Sequence, residues 1–163
     1  MGLIHSLENY LFREIELSIQ DRRNLLAFVG IMCAVDMIMR NLFDRANKEG
    51  FQYFCTQFLA KRNKKYGDAK NIEKLWKLRV ALTHNWGTKH LYYLLPDLSL
   101  EEAKKVSNPR LHSHMVEIAG AFYFSVPQLF DDVKIVLFND VYDVLRNDEN
   151  LQRDANKRFA KLF

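Results

Sequence analysis

Leu75-Trp76-Lys77-Leu78-Arg79-Val80-Ala81-Leu82-Thr83-His84-Asn85-Trp86-Gly87 decides how this chain reads. At about 100° per residue, Ile72, Leu75, Trp76, Leu78, Val80, Leu82 and Trp86 form one broad apolar arc of a helix. Arg79 falls near the middle of that arc, between Leu75 and Thr83. Lys70, Lys74, Lys77, Ala81 and His84 take the opposite arc. A guanidinium cannot shed its charge, so an arginine on an apolar face needs a partner or an interface. Arg79 and His84 are splayed by roughly 140° around the axis. A site using both therefore requires a second helix, a bend or a second subunit. Gly87 is a C-cap signal, which puts His84 at the negative end of the helix dipole. A histidine there can exchange a proton near neutral pH.

Outward from this segment the chain punctuates itself into helices. A first helix is expected near residues 3–18. A second runs from an N-cap at Asp21 to about Lys48, closed by Gly50. A third covers Phe51–Lys65, and Tyr66-Gly67-Asp68 forms a turn before the Arg79 helix, itself expected from about Ala69 to Trp86. Every proline (Pro96, Pro109, Pro127) lies beyond residue 90, so nothing interrupts long helices in the first half. Between residues 88 and 125 the periodicity fails, and a small β-hairpin or irregular excursion is expected, with a short helical turn over Leu100–Lys105. Ser125 caps the next helix, with Pro127 in its first turn. Asn147 or Asp148 starts a last helix ending near Phe163. The sum is a mainly α bundle of about five to six helices in one domain, residues 1–163.

Leu78-Arg79-Val80-Ala81-Leu82-Thr83-His84-Asn85 resembles the R-x4–6-H motif of the HEPN superfamily. The order of helices, a long apolar one first and a charged one last, also resembles it. The resemblance implies an antiparallel helical bundle, a homodimer, and in many members a metal-independent endoribonuclease of toxin–antitoxin or defence systems. It implies Arg79 and His84 as catalytic residues, with Asn85 in support and no cofactor. Two positions depart from the pattern. Val80 stands where many catalytic members carry Asn, Asp or His. Trp86 stands where some toxin members carry a tyrosine that a partner antitoxin adenylylates. The alternative is a non-catalytic HEPN-like domain that binds RNA or another protein.

Other residues bear on the same choice. Asp36 is the only acid within Leu25–Met39, and is either the counter-charge of Arg79 or an i,i+4 partner of Arg40. Lys70, Lys74 and Lys77 share the face of His84, with Lys61, Arg62, Lys64 and Lys65 before them and Lys89 after. Such a surface suits an RNA backbone and equally an ordinary solvated face. The net charge of +4 is compatible with an RNA partner without pointing to one. His112-Ser113-His114 lacks the neighbours of a zinc site and reads as a polar loop. Tyr92, Tyr93, Phe122, Tyr123 and Phe124 suit base stacking or, more simply, a core. Cys33 and Cys55 read as buried thiols of a reducing compartment. The run Leu25–Met39 is short for a bilayer span, so a cytoplasmic protein without a membrane partner is expected. Phosphate-loop, nucleophile-elbow, zincin and dinucleotide-binding patterns are missing from the sequence.

Overall fold

A computed structural model describes residues 7–84, 92–95, 114–118 and 121–160. The fold is a mainly α bundle. Its helices are α1 (residues 7–20), α2 (Asn24–Phe43), α3 (residues 47–62), α4 (Ala69–His84), α5 (residues 126–147) and α6 (Glu149–Phe159). The expected excursion forms a three-stranded sheet of β1 (Tyr92–Leu95), β2 (Val116–Ile118) and β3 (Ala121–Ser125), in the order β1-β3-β2. β2 and β3 are the antiparallel hairpin, with Val116 opposite Tyr123. β1 adds a parallel pairing, with Tyr92 opposite Phe122. The Leu100–Lys105 turn lies outside the described residues.

α2 is the spine of the bundle, packed on by α1, α3, α4, α5 and α6. Ala27, Phe28, Ile31, Ala34, Val35 and Ile38 are almost wholly buried. They recur at helical spacing and fill one face of α2, while Leu26, Cys33 and Met37 on the other side meet solvent. At 20 residues it is long and apolar enough to cross a bilayer, which corrects the expectation of a run too short to do so. Within the fold, 56% of its most apolar window is buried, as a core helix requires.

Several boundaries differ from expectation. α2 begins at Asn24, with Arg23 rather than Asp21 in the N-cap position and no side chain capping it. Two others share one reason. α2 ends at Phe43 rather than near Lys48, because Asp44 adopts a left-handed conformation (φ 57°) and its N–H returns to the Met39 carbonyl. Gly50 is therefore inside α3, not a stop. It is there for space: a Cβ on it would lie 2.8 Å from the Arg45 carbonyl oxygen and 3.1 Å from Met39 Cβ. In an open helix, alanine would stabilise this position by roughly 0.5–1 kcal/mol. Here Gly50→Ala is expected to destabilise by about 2 kcal/mol, read as a melting temperature lowered by about 4–8 °C. An unchanged or higher melting temperature would show that the α2–α3 corner yields.

The caps on the C-terminal half follow the sequence closely. Ser125 Oγ accepts from the Gln128 N–H at 3.2 Å, and Asp148 Oδ1 accepts from the Leu151 N–H at 2.9 Å. Arg158 of α6 closes the bundle from the far end. It donates to the carbonyls of Asn41 and Leu42, both at 2.9 Å, which α2 leaves unpaired at its C-terminus.

Candidate functional site

The Arg79 helix presents Ile72, Leu75, Leu78 and Leu82 to the core. Arg79 sits on the shoulder of that stripe rather than at its middle, because Leu75, Leu78 and Leu82 face inward together and the guanidinium turns to the α2 seam. There its Nη2 pairs with Asp36 Oδ2, and its guanidinium lies 4.7 Å from the centre of the Trp76 ring. Asp36 has thus taken Arg79, not its helical neighbour Arg40. The two side chains keep 20% and 25% of their surface in solvent. The pair is half-sheltered and can be reached from outside. Cys33 stands one turn before Asp36 and is exposed, not buried as expected. Burial of its sulfur, helped by the Asp36 carboxylate and opposed by Arg79, still raises the thiol above its usual range. It is a poor nucleophile at neutral pH.

α4 continues unbroken to His84, so positions 79 and 84 keep the splay expected of one helix. Asn85 and Lys89 lie outside the described residues. Beside the Asp36–Arg79 pair, α2 shows solvent an apolar strip of Leu25, Leu26, Cys33 and Met37.

The α4 lysines are largely matched with acids. Lys74 pairs with Glu117 of β2, with its ammonium 5.0 Å from the Phe122 ring centre. Lys77 lies 3.6 Å from Glu73, which also pairs with Lys48. Both carboxyls are held below their usual range, Glu117 by the Lys74 hydrogen bond and Glu73 by that of Lys48. Lys70 is exposed beside the same Glu117. Phe122 and Phe124 are core residues rather than stacking platforms, with Phe124 packed edge-on against Phe28 at 5.4 Å.

A second cluster was not legible in the sequence. His114, expected in a polar loop, is 7% exposed and meets Tyr66 and Asp132 in the interior. The Ser125 N–H donates to His114 Nδ1 at 3.2 Å, so the ring lone pair is on Nδ1 and its proton on Nε2. Nε2–H then donates to Tyr66 Oη at 2.7 Å, and the tyrosine hydroxyl donates to Asp132 Oδ2 at 2.8 Å. Lys65 Nζ clamps the His114 carbonyl at 3.1 Å, and Arg62 Nε lies 3.9 Å from Asp132 Oδ1. Burial, with the Lys65 charge, pushes His114 down to about 4. Burial raises Asp132, against the Tyr66 hydrogen bond and Arg62, and raises Tyr66 far above its usual range. Tyr66 is wholly buried, so no substrate reaches its hydroxyl. The chain of hydrogen bonds is a fastener tying the hairpin and α5 to the turn before α4. The one hint in the sequence was Asp132, which at helical spacing shares the apolar face of Leu129, Val133 and Val136 while Asp131 falls on the other side.

Among the described residues no group of three or more His, Cys, Asp or Glu could hold a metal ion. No known protein family, curated protein or solved structure matches this chain.

Proposed function

We propose that this protein is a HEPN-like endoribonuclease that cleaves RNA without a metal and works as a homodimer. What carries the reading is Arg79: a permanent cation fixed at a helix seam by Asp36, still reachable, five residues before the histidine that ends the same helix. In the reaction, a ribose 2′-oxygen attacks the adjacent phosphorus and the bond to the 5′-oxygen breaks. One His84 imidazole takes the 2′ proton, and a second, protonated, gives one to the leaving oxygen. Arg79 offsets the charge growing on the phosphate oxygens. The products are a 2′,3′-cyclic phosphate and a 5′-hydroxyl. One protomer supplies one His84, at a helix position roughly 140° around the axis from position 79, so two protomers fit this chemistry better than one. The exposed apolar strip on α2, bordering Arg79, is the surface that would bring them together. A cytoplasmic toxin–antitoxin or defence role, with an antitoxin or other partner protein, goes with this reading.

One observation favours a second reading. Asp36 already neutralises Arg79, and Val80 follows the arginine; both suit a non-catalytic HEPN-like module in which Arg79 is structural. Cleavage of structured RNA in EDTA by wild type, His84→Ala and Arg79→Ala separates the two. Both variants are expected to lose at least about a hundredfold in rate with unchanged circular dichroism. Equal rates in all three, or no cleavage by wild type across several RNAs, would leave the module.

A further inference from the structure

We propose that the turn at residues 61–65, rather than the lysine face of α4, is where this protein grips a nucleic-acid backbone. The choice of RNA as partner rests on the reading above; the location rests on charge. The chain has 24 Lys and Arg against 20 Asp and Glu. Lys61, Arg62, Lys64 and Lys65 put four of those cations into five residues. Without them the chain is balanced at 20 against 20. No other five-residue stretch of the chain holds as many cations, and this one holds no acid.

The surroundings preserve that charge. On α4, Lys74 and Lys77 face Glu117 and Glu73, which offset part of their field; Glu73 is shared with Lys48. In the turn, the partners are mostly uncharged. Lys65 is anchored on the His114 carbonyl, and the Lys61 ammonium rests 5.6 Å from the Phe58 ring centre. Neither contact takes away positive charge. Among the described residues, Arg62 is the one of the four that approaches a carboxylate, at 3.9 Å, and burial raises the pKa of that group. All four cations are exposed.

The turn is also stiff. Asn63 Oδ1 accepts from the Lys65 N–H at 3.0 Å, the Asn71 amide donates to the Lys65 carbonyl at 3.0 Å, and Asp68 Oδ1 accepts the Lys70 N–H at 2.9 Å. Tyr66, next in sequence, is pinned by its two buried hydrogen bonds. Cations on a fixed backbone lose less freedom when they meet a chain of phosphates.

The test uses the full chain and a labelled 2′-O-methyl oligouridylate, followed by fluorescence anisotropy over a range of salt. This probe has no free 2′-hydroxyl, so it reports binding whether or not the protein cleaves RNA. Lys61→Gln with Lys64→Gln is expected to weaken binding about tenfold. It should also make the log–log salt slope shallower by about 1.4, the share of two phosphate contacts on a single strand. Lys74→Gln with Lys77→Gln should leave both nearly unchanged. The reverse order, equal weakening by both pairs, or no salt-dependent binding by wild type would overturn the assignment. So would binding to phosphatidylserine vesicles in preference to the oligonucleotide. A wild type that binds through the turn but never cleaves would sink the ribonuclease reading and leave this one standing.

Discussion

Tyr66→Phe is expected to be the most destabilising conservative change in the described part of the protein, at about 3 kcal/mol. The substitution removes one oxygen and two hydrogen bonds. It leaves a His114 N–H and an Asp132 carboxylate without their shared partner, and each group stripped of a buried partner costs about 1–3 kcal/mol. For a chain of 163 residues this corresponds to a melting temperature lower by about 6–12 °C. A drop of less than about 2 °C would show that water replaces the hydroxyl and that the fastener is not needed. The same cluster sets a pH dependence whose sign can be worked out. His114 is lowered from 6.5 to about 4 in the folded state. Above pH 6.5 both folded and unfolded forms are neutral, and the full stability is present. Between 6.5 and 4 only the unfolded chain takes up the proton, so stability falls by up to about 3 kcal/mol. Protonation would also put an N–H on Nδ1, directly against the Ser125 N–H. Asp132 acts in the opposite sense: raised in the fold, it gains a proton there first and offsets part of the acid loss. Tyr66, raised far above 10.0, removes stability only on the alkaline side. The buried Cys55 thiol and Cys33, both raised from 9.0, begin the alkaline loss earlier. Urea midpoints are therefore expected to form a plateau from about pH 6.5 to 9, with an acid shoulder that His114→Gln removes.

Asp36→Ala is expected to cost about 2 kcal/mol, because it removes the carboxylate facing the Arg79 guanidinium in a seam where only 20% of that side chain meets water. Full burial would raise the cost to 3–5 kcal/mol, and full exposure would reduce it below about 1. The Trp76 ring retains part of the attraction, so the loss is smaller than the ion pair alone suggests. A double-variant cycle with Arg79→Ala, read by urea unfolding, should give a coupling of about 1–2 kcal/mol. Additive effects would mean that the pair is formed but contributes nothing. Stability and cleavage must be read together here. If Arg79 only holds α2 to α4, cleavage follows the folded fraction. If it also meets phosphate, Arg79→Lys keeps much of the stability yet lowers the rate, since a point charge cannot reproduce the planar fork.

Some of this was visible in the chain from local signals alone. Ser125 with Pro127 and Asp148 cap their helices because a cap depends on residues only three apart. Asp36 and Arg79 were candidates for each other because each is a lone charge in its apolar setting, with Arg40 open as the other partner until the fold chose Arg79. Other features were not local. Gly50 looked like a stop, since glycine is as common past a helix end as inside a tight corner, and only the approach of the Arg45 carbonyl distinguishes the two. The parallel pairing of β1 with β3 carries no turn signature, because parallel strands are joined by long connections. His114 reaches Tyr66 across 48 positions and Asp132 meets Tyr66 across 66.

By itself, then, the sequence determined the helical periodicity, the caps of α5 and α6 and the fact that Arg79 needs a counter-charge, because these follow from side-chain spacing and the cost of a bare ion in an apolar place. The tertiary structure alone decided which charges remain to act outward. Folding matched the α4 lysines with Glu73 and Glu117, buried His114 against Tyr66, and left the cations of residues 61–65 in solvent. Charge is a property of composition, but its field depends on which opposite charges folding brings within a few ångströms.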